Sequence, residues 1–290
     1  MSNKIYNSIY LSFALIKKYL PERAKYTIDA FIKLVILAQD KNKYIENIDG
    51  NGLSSADTFH IRIKKNGTIQ NIHESFRVKI SKFLKNTKQK IVLLFDETYE
   101  PYYGHDKSNR YIHGYRPVRG SKGCYKFLCC QALLPDGTKI FVDAILLPIF
   151  YDTANEVGKI ITFIKSTNTK ILFCLFDRGY YSSALIKELK KQKVRYLMLV
   201  PKTSGIKKIL EENSETIFVK KEYMVNGKVS TDIIVVRDER FDWTFATNLR
   251  FRNLINAIRT YKIRWNIETG FRVTDEARIK SKSKNIVIRY

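Results

Sequence analysis

The sequence predicts an α/β fold: a mixed sheet flanked by helices, with a helical N-terminal domain before it and a β-hairpin insertion ahead of a last long helix. Three observations predict it. Apolar residues recur at helical spacing as far as about Lys88. From Lys90 onward, short β-rich runs alternate with helical ones. Finally, an Asn-Gly turn between two alternating runs precedes an apolar stripe with the period of a helix.

In the N-terminal part, Ile9, Phe13 and Ile16 fall on one helical face, and Ile28, Phe31, Leu34, Val35 and Leu37 on another. Pro21 separates the two, and Asp49-Gly50-Asn51-Gly52 marks a loop. Ser55-Ala56-Asp57-Thr58 then opens a further helix, which runs into the basic segment FHIRIKKN. A helix, a tight turn and a basic helix make a helix-turn-helix-like arrangement, so residues 1–88 are expected to form a DNA-binding domain.

Each element of the second region follows from its run of residues. IVLLF leads into Asp96; YKFLCCQALL and KIFVDAILLP are joined through Pro135-Asp136-Gly137; residues around Ala154 to Lys165 read as a helix. ILFCLF then leads into Asp177, Ser182 to Gln192 is helical, and YLMLVP is again a strand. The order β, β-hairpin, α, β, α, β is that of an RNase H-like sheet, assigned here to residues 89–290. In it the first and fourth strands lie parallel and adjacent, because a hairpin and a crossover helix connect them. Asp96 and Asp177 then become neighbours at the carboxyl ends of their strands, the edge where such sheets bind ligands.

The insertion, about 202–248, is centred on TIFVKKEYMV and KVSTDIIVVR around Asn226-Gly227, with FDWTFATNL as one more strand. The last helix is expected from about Phe251 to Phe271. Leu254, Ile258, Tyr261, Trp265 and Glu268 share one stripe, with Arg264 beside it one turn before Glu268.

Composition narrows the partners. The chain carries 52 Lys+Arg against 28 Asp+Glu, a net charge of +24 and a pI near 9.8. Positive charge spread over the whole length predicts a broad basic face, for which a phosphate backbone is the natural ligand. No uncharged apolar run approaches the roughly 20 residues that span a bilayer, so no membrane partner is expected, and the protein is placed in the cytoplasm at the nucleoid. Cys124, Cys129, Cys130 and Cys174 lie in apolar runs without metal spacing and are expected to be small buried thiols.

Two carboxylates held together repel unless a proton or a cation intervenes, and magnesium is the hard, oxygen-seeking cation such a pair suits. Glu97, Asp106 and Asp143 are competing acids nearby, but Asp96 and Asp177 alone share the same apolar run-up. The segment Lys107 to Lys126 contains Lys107, Arg110, Arg116, Arg119, Lys122 and Lys126, no acid, and Tyr111, Tyr115 and Tyr125. That alternation suits phosphate neutralisation combined with base stacking. His105 and His113 have no partner at ligand spacing and read as loop histidines, while Trp243 and Trp265 are expected in the core.

YKIRWNIETGFR resembles the tyrosine, arginine and glutamate signature of DDE transposases from prokaryotic insertion sequences, with Tyr261, Arg264 and Glu268 at its spacing. FDETY around Asp96 and LFDRGYYS around Asp177 resemble the family's two aspartate motifs, so the resemblance covers roughly Ile91 to the C-terminus. It implies cleavage and transfer of DNA strands with two Mg²⁺ or Mn²⁺ ions held by Asp96, Asp177 and Glu268. Tyr261 and Arg264 would grip a phosphate, and the partners would be double-stranded DNA, as terminal inverted repeats and target, and a second protomer on paired ends.

The family signature commonly carries a lysine seven residues after the glutamate, where this chain has Asp275; Arg272, Arg278, Lys280 and Lys282 are the basic residues nearby. Family members continue with further apolar structure after this helix, whereas this chain ends at Tyr290, so a C-terminal truncation is expected. The alternatives that follow are an inactive DNA-binding remnant and an RNase H-like nuclease or resolvase.

Overall fold

The computed structural model describes residues 28–48, 55–87, 89–105, 109–239, 241–277, 281–283 and 285. The expected helix through Ile9 to Ile16, the loop at 49–52, Asp106, Lys107, Arg278 and Lys280 lie outside them.

Helix α1 (Ile28–Asp40) packs Leu34, Val35 and Ala38 on Ile45 and Ile48 in a small separate cluster. Helix α2 (Ala56–Asn66) starts where Ser55 accepts the amide of Thr58 at 3.1 Å, and α3 (Ile69–Asn86) where Thr68 accepts that of Asn71 at 3.1 Å. These hydroxyls satisfy amides that a first helical turn leaves unpaired. Although it belongs to the helical N-terminal stretch, α3 packs on the sheet that follows, burying Ile80 and Leu84 in the main core.

The remaining elements are β1 (Ile91–Tyr102), β2 (Gly123–Leu133), β3 (Lys139–Leu147), α4 (Thr153–Ser166), β4 (Ile171–Phe176), α5 (Ser183–Lys191), β5 (Tyr196–Leu199), α6 (Ser204–Glu212), β6 (Ile217–Val225), β7 (Val229–Arg237), β8 (Asp242–Thr247), α7 (Asn256–Lys262) and α8 (Trp265–Ala277). The strands form one mixed sheet in the order β3-β2-β1-β4-β5-β8-β7-β6. Its first five strands have the RNase H-like arrangement: β1, β4 and β5 are parallel, and β2 and β3 run back as a hairpin on the β1 edge.

Parallel central strands are covered on both faces, which is why β1 and β4 read as continuous apolar runs. Leu93, Phe95 and Phe176 face α4 and α5, where Val157, Ile160, Ile161, Leu185 and Leu189 are buried. Val92, Leu94 and Leu175 face α7 and α8, with Ala257, Tyr261 and Ile267. Phe95 and Phe176, the last pair in the β1–β4 register, stack with centroids 4.9 Å apart. Each fully buried side chain of this size contributes about 1.5–3 kcal/mol.

Asn226 and Gly227 both have positive φ, 50° and 65°, as the tight turn between β6 and β7 requires. The hairpin does not stand apart from the sheet: β8 pairs with both β5 and β7 and carries it as a continuation.

Three local expectations are corrected. Strand β1 does not end at Asp96, because pairing with β2 continues from Asp96–Cys129 to Tyr102–Gly123 after pairing with β4 stops at Phe95. Helix α6, capped by Thr203 and burying Ile206 and Ile209, was not anticipated between Pro201 and the hairpin. The expected helix from Phe251 to Phe271 is two helices, α7 and α8, separated at Ile263–Arg264. There the amides of Ile263, Arg264, Asn266 and Ile267 bond three residues back, at 3.3, 2.8, 3.0 and 3.0 Å, in a tightened turn.

Candidate active site

The tightened turn decides which side chains face the sheet. With the helical phase reset, Tyr261, Arg264 and Ile267 become the buried line, and Trp265 turns out to solvent, 49% exposed. The single stripe read through Trp265 therefore does not form, and Trp265 is not a core residue. Gly270 lets α8 approach: a Cβ there would stand 2.3 Å from the Gln131 amide nitrogen and 3.1 Å from the Phe141 ring.

The sheet brings the two aspartates together. Asp96 and Asp177 each follow a member of the last β1–β4 pair, Phe95 and Phe176, so they are adjacent where the two strands diverge. Asp96 shares its face of β1 with Val92 and Leu94, toward α7 and α8. Its Oδ1 accepts the Glu97 amide at 2.9 Å.

The helix pair supplies the rest. The Tyr261 hydroxyl donates to Asp177 Oδ1 at 2.9 Å. Arg264 donates from Nη1 to Asp96 Oδ2 at 3.0 Å and from Nη2 to Glu268 Oε1 at 2.7 Å. One guanidinium thus bridges the first acid and the last, while the tyrosine one turn earlier holds the second. Arg264 Nε is buried and has no hydrogen-bond partner among the described residues.

The charges behave as a coupled group. Burial, and then repulsion from Asp177 and Glu268, hold the Asp96 carboxyl above the usual carboxylate range; the Glu97 amide and Arg264 pull the other way without cancelling this. Burial alone would lower the Arg264 guanidinium, but Tyr261, Asp177, Asp96 and Glu268 together hold it above its ordinary value. Burial also pushes the Tyr261 phenol up, with Asp177 adding to the shift and Arg264 opposing it. All three acids therefore act on one buried cation.

As placed, no three His, Cys, Asp or Glu among the described residues are grouped to hold a metal ion. The donor chemistry nevertheless fits a hard divalent cation: the three groups are carboxylates, Asp96 and Asp177 are adjacent, and their mutual repulsion calls for a countercharge. In this arrangement Arg264 supplies that charge.

The neighbouring candidates have other partners. Glu97 points to the opposite face of β1 and pairs with Lys126 at 2.6 Å. Both also bond the Tyr151 hydroxyl, which donates to Glu97 at 3.2 Å. Lys126 is thus a half-buried β2 residue and not part of an open basic loop. Tyr151 was not anticipated, since it meets Glu97 from 54 residues away with no local signal. Asp143 is fully buried and held by His73 and Arg77 of α3, both at 2.6 Å.

Arg110, Arg116, Arg119 and Lys122 are exposed on the segment between β1 and β2, and Arg272 is exposed on α8. His113 bonds the Leu147 carbonyl at 3.0 Å, tying this segment to β3. Lys282 lies away from the acids, its side chain 2.9 Å from Asn47. Trp243 is half-buried and donates to Asp238 at 3.0 Å, and the four cysteines are buried and free.

An RNase H-like sheet with adjacent aspartates, facing a helix pair that carries tyrosine, arginine and glutamate across its joint, defines the class to which the family comparison points. Residues 81–285 match the transposase DDE domain, and the chain belongs to that family. Similar solved structures include a Drosophila P element transposase strand transfer complex, at 10% identity and a TM-score of 0.28, covering 67% of this chain and 43% of that one. A Mos1 mariner paired-end complex with Mn is similar at 12% identity and a TM-score of 0.25, covering 68% of this chain and 78% of that one. A Mos1 paired-end complex with the left transposon end is 14% identical with a TM-score of 0.23, covering 61% and 59%. Comparison with curated proteins gives no match. No helix among the described residues is long and apolar enough to cross a membrane.

Proposed function

We propose that this chain is the transposase of an insertion sequence, which binds the element's ends and catalyses metal-dependent cleavage and transfer of DNA strands. The observation that carries this reading is the linkage of all three acids through the α7–α8 pair: Tyr261 to Asp177, and Arg264 to both Asp96 and Glu268.

Asp96, Asp177 and Glu268 would hold two Mg²⁺ or Mn²⁺ ions, which when bound activate the attacking oxygen and stabilise the leaving one. The chain's own groups do the rest. Tyr261 holds one carboxylate oxygen of Asp177 and so restrains its rotamer. Once released from the acids, Arg264 offers a fork of donors to a phosphate, its unpartnered Nε included. The exposed Arg110, Arg116, Arg119 and Lys122 lie along the β1–β2 connection and neutralise the DNA backbone beside the site, and Arg272 does so from α8. We assign α1 and α2 to the DNA-binding module and α3, which is buried against the sheet, to the catalytic body. Two protomers would act on paired ends.

The test is incubation with Mg²⁺ and DNA carrying the flanking inverted repeats. Nicked ends and joined products are expected, and Asp96→Ala should abolish both while DNA binding persists. Cleavage without joining would point instead to a nuclease. Independently of activity, Mg²⁺ or Mn²⁺ should raise the melting temperature of the wild type and leave that of Asp96→Ala unmoved.

A further inference from the structure

Immediately after β3, the loop Pro148-Ile149-Phe150 presents the most exposed large apolar side chain of the described residues: Phe150 is 93% exposed and Ile149 41%. This tip is held on both sides. The Ile149 amide donates to the Arg110 carbonyl at 2.7 Å, fastening the tip to the basic β1–β2 segment. On the other side Tyr151 is held by Lys126 and Glu97, and Asp152 caps α4 by accepting the Ala154 amide at 2.8 Å. A lone exposed apolar side chain is ordinary, but two adjacent ones on a tip fastened to a basic segment make an apolar point beside positive charge, a form suited to a binding contact.

The surroundings indicate the chemistry of that partner. Arg110, Arg116, Arg119 and Lys122 are exposed on the segment to which the tip is fastened, and residues 109–122 contain no acid. Tyr115, 60% exposed, lies on the same connection, and its ring centroid is 5.1 Å from that of Tyr99 of β1, 39% exposed. Apolar residues held near cations and open aromatics are a means by which proteins enter a base stack while gripping phosphates.

We propose that Phe150, supported by Ile149, is a wedge that inserts between base pairs of duplex DNA lying across the basic segment, opening a base step there. This rests on the DNA-processing reading above and adds to it a residue that distorts the substrate.

The experiment uses the full chain and duplexes carrying the flanking inverted repeat, with 2-aminopurine placed in turn at each adenine. The wild type should brighten the probe at one step, reporting unstacking. Phe150→Ala should remove that signal and weaken binding about tenfold with the salt dependence unchanged, whereas Phe150→Leu keeps both. Arg116→Ala should instead flatten the salt dependence and leave the unstacking. Equal affinity and equal probe fluorescence for wild type and Phe150→Ala would overturn the wedge while leaving the transposase reading intact. A change in sedimentation without a change in DNA binding would overturn it in favour of a contact between copies. A wild type that neither binds nor processes the duplex sinks both readings. Because Phe150 is exposed, the melting temperature of its variants should match the wild type.

Discussion

Asp96 and Asp143 are aspartates on neighbouring parts of one sheet, the first half-buried and the second fully buried, each reached by an arginine, yet they are held in opposite ways. Asp143 sits on the face toward α3, where His73 and Arg77 each approach to 2.6 Å. Burial alone would raise its carboxyl, but the hydrogen bonds and charges of those two partners outweigh it and leave the group below its ordinary value. Asp96, on the other face, shares its arginine with Glu268 and Asp177 and remains above the ordinary range. One acid has more cation than it needs, the other less. The first describes a brace between helix and sheet; the second is a carboxyl kept raised chiefly by burial, the kind of perturbed group that marks a candidate site.

The comparison can be broken most forcefully at the brace. Asp143→Asn leaves His73 and Arg77 without their countercharge against the sheet, and should cost about 3 kcal/mol, the low end for breaking a buried pair because both partners keep some solvent. A urea midpoint that does not move would show that α3 is held by its apolar face alone. Next in size is Arg264→Gln, which removes the shared cation of three acids. A loss of about 1–2 kcal/mol is expected, discounted because half of the Glu268 side chain is exposed. Added Mg²⁺ should recover part of that loss, and no recovery would separate the role of Arg264 from that of the metal.

How much of this was readable in the sequence depends on how far apart the interacting residues lie. β1 and β4 were legible because strands buried on both faces are written as unbroken apolar runs, and their parallel adjacency followed from the hairpin and helix between them. The Asn226-Gly227 turn was legible because the backbone there demands positive φ. Tyr261, Arg264 and Glu268 were found by spacing, but their orientation was not, because the tightened turn at Ile263–Arg264 shifts the helical phase and no residue type announces it. The end of β1 was misplaced for a similar reason: β4 leaves at Phe95 while β2 goes on pairing. The partners of Asp143, Glu97 and Lys126 could not be read at all, since His73 and Tyr151 meet them only through the tertiary fold.

The smallest effect is the most discriminating. Asp96→Asn keeps the shape of the side chain and removes its charge, so in a site where the charged form is disfavoured it should leave stability within about 1 kcal/mol of wild type, on the favourable side. The same contrast appears with pH. A carboxyl lowered by folding, as Asp143 is, contributes stability that is full above the ordinary carboxylate pKa of about 3.9 and disappears as pH falls through its folded value. A carboxyl raised by folding, as Asp96 is, contributes at low pH and loses that contribution as pH rises from about 3.9 to its folded value. Subtracting the variant's stability curve from the wild type's therefore gives opposite slopes for the two substitutions across the carboxylate range. In metal-free buffer, the wild-type advantage over Asp143→Asn should grow with rising pH, and that over Asp96→Asn should shrink. Parallel difference curves would mean that Arg264 satisfies Asp96 as fully as Arg77 and His73 satisfy Asp143, and the distinction between brace and site would fail.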